Sequence, residues 1–325
     1  MSDMKNRSTP RKLRVIILIL SLILVGMFFS RCSTPEKAYP RDEAPRLEEV
    51  WSFGSGDIKV VRIPLTGVIM RAEDEGFFTA QPDMVENILM QIRAADRDPE
   101  MRAIILEVNS PGGGVTPSDE IYNALSRFRT SRPDRHVVVF IRDLGASGAY
   151  YAAMAGDFIL AEPTAAIGSI GVIMQTLNLE GLSKKFGITD VTIKSGVNKD
   201  MLNPFRPVDT NQVELLQELI DDMQARFAGI VSESRNLDPS STPELFDGRI
   251  FSASLALEKG LIDGIGYWDD ALTHTARLFE TNTVHVVRYE TEKTFLESLI
   301  SGHNPVPLPN LRAVHAPRFL YLWKP

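Results

Sequence analysis

Residues 137–151 read Val137-Val138-Val139-Phe140-Ile141, Arg142-Asp143-Leu144, then Gly145-Ala146-Ser147-Gly148-Ala149-Tyr150-Tyr151. The first five are β-branched or aromatic and make a short continuous apolar run, which predicts a buried strand. Residues 149–155 predict a helix. Ser147 therefore stands at a strand-to-helix turn, where free backbone N–H groups point outward and can hold an attacked carbonyl. Small residues at such a turn also serve close packing alone. By itself the stretch leaves catalysis and packing both open.

Working outward, the same alternation repeats. Residues 58–70 predict a strand broken by Pro64 and Gly67, and a helix follows Pro82-Asp83 with Val85, Ile88, Leu89 and Ile92 on one stripe. Residues 103–108 predict a second buried strand, ended by Asn109-Ser110-Pro111-Gly112-Gly113-Gly114. The next helix has Thr116 as its expected cap, Pro117 at its first position, Asp119 at capping-box spacing, and Ile121, Ala124, Leu125 and Phe128 along one face. Beyond Ser147, residues 157–161, 167–175 and 190–194 read as strands. Residues 179–186, 210–235, 255–259 and 268–279 read as helices. Strands alternating with helices imply a mostly parallel sheet, with ligands at the carboxyl ends of its strands. Both the glycine run and Ser147 occupy that position.

The chain has 325 residues, 44% of them hydrophobic and 24% charged, as in a globular protein with a substantial core. Residues 1–12 form a basic tail. Residues 13–30 are apolar; the 16 uncharged positions from Val15 to Ser30 span about 24 Å as a helix, against a hydrocarbon core of about 30 Å. Leu13 and a snorkelling Arg14 close that gap. Bulky Phe28, Phe29 and Arg31 stand where signal cleavage needs small residues, so an uncleaved signal anchor is expected. The basic side stays in the cytoplasm and the rest of the chain lies outside. Residues 31–56, rich in proline and charge, read as a linker, 57–280 as the main domain, and 281–325 as an irregular extension. The total charge is −7, and residues 32–325 carry −12. An acidic body argues against nucleic acid as a partner. One cysteine, Cys32, and five scattered histidines offer no disulfide and no metal-ligand spacing. No metal or cofactor is expected.

A serine hydroxyl is a weak nucleophile until a base takes its proton. His136 precedes the 137–141 strand and so falls at its wrong end. An α/β-hydrolase order would require His274 or later. Lysine is the other base that serine enzymes use. With a reference pKa of about 10.4, roughly one lysine in a few thousand is neutral at pH 7, so it must be buried to serve. Ile193-Lys194-Ser195-Gly196-Val197-Asn198-Lys199-Asp200 leaves a strand through a Ser-Gly turn, a loop able to reach a pocket. Lys199 alone also fits a solvated surface lysine. Gly112–Gly114 and Gly148 can offer unhindered N–H groups to an oxyanion. The glycine run matches neither a P-loop nor Gly-x-Gly-x-x-Gly.

Together these segments resemble the signal peptide peptidase A family of bacterial membrane serine proteases, the S49 peptidases of the Clp protease/crotonase-like fold. The resemblance rests on Asn109-Ser-Pro-Gly-Gly-Gly-Val115, Gly145-Ala-Ser-Gly-Ala-Tyr-Tyr151, Ile167-Gly-Ser-Ile-Gly-Val172 and Lys194-Ser-Gly-Val-Asn-Lys-Asp200. It extends to Asn203-Pro-Phe-Arg-Pro207 and to Gly248-Arg-Ile-Phe251 with Ala256–Asp263, all in the family's order. It implies an α/β spiral of ββα units with a parallel sheet, in the short form with one catalytic domain. It implies a Ser–Lys dyad: Ser147 as nucleophile, Lys199 as general base, Ser169 positioning the lysine amine, with oxyanion donors Gly148 and Gly113 or Gly114. It further implies a ring-like homo-oligomer with the dyad built across subunits, and cleaved signal peptides or other apolar peptides as substrates. Gly145 and Ala149 depart from the family's usual residues but remain small. Two other readings stay open: a crotonase-type acyl-CoA hydratase or isomerase, and a non-catalytic membrane scaffold.

Overall fold

The structure is a computed structural model that describes residues 47–71, 83–291 and 319–323. The expected basic tail and the apolar span 13–30 lie outside these residues. Among the described residues, no helix is long and apolar enough to cross a membrane.

Strand β1 (Leu47–Phe53) is followed by β2 (Lys59–Thr66), helix α1 (Met84–Arg97), β3 (Met101–Ser110), β4 (Gly112–Gly114), α2 (Val115–Ser131), β5 (His136–Ala146) and α3 (Gly148–Ala153). Then come β6 (Phe158–Ala161), β7 (Ala166–Gly168), β8 (Ile173–Met174), α4 (Glu180–Lys185), α5 (Thr210–Arg235), β9 (Ile250–Ser252) and α6 (Ala253–Glu258). The described chain closes with β10 (Gly264–Ile265), α7 (Trp268–Leu278), β11 (His285–Thr291) and β12 (Phe319–Leu322).

A nine-stranded sheet runs β1-β11-β2-β3-β5-β6-β10, with β7 beside the end of β5 and β9 beside β7. From β11 to β10 every neighbouring pair is parallel; β1 joins β11 antiparallel at the edge. The architecture is mixed α/β with a mostly parallel sheet. The two faces of the central strands feed two cores. Ile104, Leu106, Val108, Val137, Val139 and Ile141 join α1, α2 and α3 on one side. Ala103, Ile105, Val138 and Phe140 face Ala271 and Ala276 of α7 on the other. Burial on both faces is why these strands read as continuous apolar runs. Pro64 does not end β2: β11 pairs only with Lys59–Val61, so Pro64 lies where β2 has β3 alone beside it.

Several expectations are corrected. Leu47–Phe53 is the edge strand β1, within the stretch read as linker. Residues 281–325 are not wholly irregular: β11 lies inside the sheet, and β12 lies between β4 and β8 in a separate three-stranded sheet. Residues 190–194 form no strand. Val191 and Ile193 are 83% and 97% exposed, and alternation alone supplies no neighbour for the backbone. Residues 167–175 are split into β7 and β8. Helix α2 begins at Val115 with Gly114 at its cap position and no side-chain cap, so Thr116 does not cap it. Helix α5 matches its expected bounds, but only Phe227 and Val231 of it are fully buried.

A polar staple closes the main domain. Arg235 at the end of α5 donates to both oxygens of Asp263 (2.7 and 2.9 Å) and to the Gly260 carbonyl (2.8 Å). Asp263 also accepts from the Ile159 N–H at 2.8 Å, and the buried Tyr150 hydroxyl donates to the Leu261 carbonyl at 2.6 Å. Asp263→Ala leaves a mostly buried guanidinium without its partner and is expected to lower stability in urea unfolding by about 2–3 kcal/mol. Asp263→Asn, which keeps an acceptor for Ile159, should lose about half as much. An Asp263→Ala protein as stable as its parent would rule out this staple.

Candidate active site

Strand β5 carries Ser147 to its place. Its last residues pair in parallel with β7 (Leu144 with Ala166, Gly145 with Ile167, Ala146 with Gly168). Ser147 continues that ladder, donating its N–H to the Gly168 carbonyl at 2.7 Å, and then α3 starts, with Tyr151 N–H donating to the Ser147 carbonyl at 2.8 Å. The turn forces Ser147 to φ 54°, ψ −118°. An L-residue held there costs about 1–3 kcal/mol and persists only where its surroundings over-determine it. Ser147 is 1% exposed, and its hydroxyl has no hydrogen-bond partner. Strained backbone and unpaired buried hydroxyls cluster at functional sites.

The glycine strand lies against this turn. Gly112 sits at φ +91°, and a side chain on it would run into the Tyr321 carbonyl. Gly112 N–H donates to Ser110 Oγ at 3.1 Å, and Gly114 N–H to the Ile69 carbonyl at 2.7 Å. Both are thus engaged on the side away from β12. On the other side β12 runs antiparallel, with Tyr321 opposite Gly113. Trp323 N–H donates to the Pro111 carbonyl at 2.9 Å. Bonded pairs alternate along an antiparallel ladder, so the Gly113–Tyr321 pair is bonded too and Gly113 N–H is aimed at the Tyr321 carbonyl. A Cβ built on Gly148 would lie 3.2 Å from Gly113 N and 3.1 Å from the Tyr321 oxygen. The backbones of Gly113 and Gly148 thus lie close together beside β12, and Ser118 Oγ, bonded to the Gly114 carbonyl at 2.8 Å, packs beside them.

Ser169 directly follows β7, next to the Ser147 turn. It is 7% exposed, at φ 51°, and anchored through its N–H to the Arg249 carbonyl at 2.7 Å. Ser147, Ser169, Gly113 and Gly148 are therefore brought together. Lys199 is not. It lies on a short 3-10 turn, Val197–Asp200, is exposed, and makes no side-chain hydrogen bond or ion pair among the described residues. Its neighbour Lys194 is instead engaged, with the Val197 carbonyl at 2.9 Å and Asp200 at 2.5 Å. The segment around Lys199 is an apolar arm: Leu177, Phe186, Ile188, Val191, Ile193, Val197 and Val208 are all exposed.

Some residues at the site escape sequence reasoning. Asp119 accepts from the Tyr151 hydroxyl at 2.5 Å and from Arg226 at 2.6 Å; it is not part of a helix cap. Burial, then the Asp119 hydrogen bond, push the Tyr151 phenol far above its ordinary pKa. Tyr321 stacks on Tyr151 (5.1 Å) and leans on Phe227 (4.8 Å). The paired tyrosines after the serine are visible in the sequence, but their partners, Leu261 for Tyr150 and Phe227 of α5 and Tyr321 of β12 for Tyr151, are distant in the chain. His136 begins β5, at the far end from Ser147, beside Asp157. His274 stacks on Phe158, and burial lowers its pKa. Among the described residues no three His, Cys, Asp or Glu side chains converge as a metal would need.

Residues 130–282 match the family described as Peptidase family S49, and residues 78–167 match Clp protease. A protein of Enterococcus faecium described as a signal peptide peptidase SppA is 32% identical over 277 residues, covering 85% of this chain and 80% of its own. A protein of Methanocaldococcus jannaschii described as a protease is 31% identical over 283 residues, covering 87% of this chain and 88% of its own. Protease 4 of Salmonella typhi is 29% identical over 212 residues, which is 65% of this chain and 34% of that one. The mostly parallel sheet is consistent with the Clp protease/crotonase-like fold, and the chain belongs to the signal peptide peptidase A family, the S49 serine-type peptidases.

Proposed function

We propose that this protein is a membrane-anchored serine endopeptidase in which Ser147 of one subunit is served by Lys199 of its neighbour in a ring. It degrades cleaved signal peptides and other apolar peptides. One observation supports the reading above others. Ser147 presents a buried hydroxyl with no partner of its own, while Lys199 stands exposed on an apolar arm. Each half lacks what the other offers. Docking the arm on a second copy buries its apolar residues, and burial favours the neutral amine that a general base requires. A cavity of about 590 Å³ between the arm and α5, lined by Met174, Leu177, Val197, Val213, Leu216 and Ile220, leaves the arm loosely backed in its own chain.

The chemistry follows from these positions. The lysine amine takes the Ser147 proton as Oγ attacks the scissile carbonyl carbon. Gly113 and Gly148 N–H groups, whose backbones lie close together, hold the oxyanion; Gly114 is spent on Ile69. The ammonium then protonates the leaving amine, and water, deprotonated by the same lysine, hydrolyses the acyl-enzyme. Ser169 orients the amine. The spiral of ββα units supplies the scaffold. Residues 13–30 fix the chain in the inner membrane, with 1–12 in the cytoplasm and the catalytic domain outside, where cleaved signal peptides remain embedded nearby.

Ser147→Ala and Lys199→Ala homo-oligomers are each expected to lose at least about 10⁴-fold in kcat on an apolar peptide. Subunits of the two variants, unfolded and refolded together at equal ratio, should recover about a quarter of parental activity, since each interface in a ring joins one serine and one lysine. No recovery on mixing would place the lysine in the same chain as its serine. In membranes washed with alkaline carbonate, the full chain should stay in the pellet and a chain lacking residues 1–30 should leave it. Release of the full chain would refute the anchor.

A further inference from the structure

We infer that Asp200, clasped between Lys194 and Arg206, is a positioning residue for Lys199: the clasp shapes the loop that presents the lysine and keeps the adjacent carboxylate away from its amine. This rests on the reading of Lys199 as general base and adds what holds it ready. The loop from Lys194 to Arg206 begins and ends on a cation, and both cations meet on the one carboxylate between them. Lys194 Nζ donates to Asp200 Oδ1 at 2.5 Å and to the Val197 carbonyl at 2.9 Å. Arg206 Nη1 donates to Asp200 Oδ2 at 2.9 Å. Each oxygen of Asp200 thus has its own cation. Arg206 Nε also lies 3.2 Å from Asp190, which accepts from Thr192 and Asn203 as well. The 3-10 turn Val197–Asp200 lies inside this clasp, with Lys199 N–H bonded to the Gly196 carbonyl at 3.2 Å and Asn203 N–H to the Asp200 carbonyl at 3.1 Å. Val197 is 71% exposed, so the turn has little core of its own and the ion pairs set its shape.

Charge is the second half of the argument. Lys199 is the one charged side chain of residues 194–206 with no ion pair or side-chain hydrogen bond among the described residues. Asp200 is its nearest anion in sequence. A carboxylate free to turn to the amine would favour its charged form, which cannot take a proton from serine. With both oxygens occupied, Asp200 is withheld from that contact. The Lys194 hydrogen bond, then the charges of Lys194 and Arg206, keep its carboxyl below the usual range, so it stays ionised and both cations stay bound. Lys194 and Arg206 are matched by Asp190 and Asp200, and the four together carry no net charge. Asp209, which caps α5, is the further acid lining the cavity beside them. At the serine that the lysine would meet, Arg249, whose carbonyl anchors Ser169, pairs with Asp247, and Arg226 pairs with Asp119. The charges on that side are therefore also spent on one another.

The test measures kcat/KM of the purified full-length protein in detergent on one apolar fluorogenic peptide, from about pH 6 to about pH 10. Lys194→Met keeps the aliphatic stem but frees one oxygen of Asp200 and leaves a negative charge uncompensated beside Lys199. The acid limb of the profile should move alkaline by about half to one pH unit. Activity at about pH 7 then falls roughly three- to tenfold, while the alkaline plateau stays within about twofold of the parent. Arg206→Met, which frees the other oxygen, should move the limb the same way. Asp200→Asn leaves two cations unmatched and should move it to the acid side. Lys194→Met combined with Asp200→Asn removes one charge of each sign and should return the limb to its parental place. Should one single variant not fold, the others carry the same test of sign. A limb that stays in place, with rates unchanged or lowered equally at every pH, overturns this inference, as does a double variant that fails to restore it. Lys199→Ala is read in parallel. If it is inactive while the limb stays in place, this inference alone falls; if it keeps parental activity, the assignment of Lys199 as base falls and this inference with it.

Discussion

The hydrogen bond from Ser147 N–H to the Gly168 carbonyl is the constraint on which the site depends. It carries the β5–β7 ladder one residue beyond the strand and holds the serine at a backbone conformation that an isolated chain would leave. The bond can do this because β7 is itself clamped: β9 runs antiparallel on its far edge, and Ser169 N–H is anchored to the Arg249 carbonyl. Ala146 and Ala149, fully buried on either side of the turn, leave it no room to relax. The strain at Ser147 is thus balanced by a short stack of three strands, and the stack brings Ser169 alongside as a consequence of register.

The glycine strand completes the site through a different economy. Three consecutive glycines let two segments of the chain approach β4 from opposite sides. Ile69 takes the N–H of Gly114 and gives its own to Gly112; β12 lies along the other edge. Only the middle N–H is left on the β12 edge, beside the Ser147 turn. Gly148 is equally constrained, because any side chain there would meet Ser118 and the Tyr321 carbonyl. Local sequence pattern narrows the expected donors to a set of three glycines; the choice among them depends on which edge of a three-residue strand each N–H faces.

What could be read from the chain and what could not divides along sequence distance. The strand 137–141, the Ser147 turn and helix 210–235 are local patterns of burial and periodicity, and they stand. The edge strand β1 and the buried β11 were hidden because strands recruited from the ends of a chain are defined by partners elsewhere: β1 pairs with β11, more than 200 residues away. Thr116 had every local mark of a cap, yet the preceding glycine strand runs straight into α2. Asp119 was thereby freed to bind Tyr151 and Arg226. Residues 190–194 alternate as a strand should, but alternation reports two faces, not a neighbour.

That last mismatch bears on the proposed assembly of a dyad across subunits. Val191 and Ile193 stand almost wholly in solvent, on the arm that carries Lys199. Apolar side chains exposed along one arm are unfavourable in water at roughly 25 cal/mol per Å², which favours a state that covers them. If the same docking event covers the arm and delivers the lysine, the burial that stabilises the ring also discharges the lysine for catalysis. A free subunit then holds a poised serine without a base, inert toward its surroundings. On the proposed reading, one physical preference serves twice: the effect that draws the apolar arm to a second copy also draws an apolar peptide to the site.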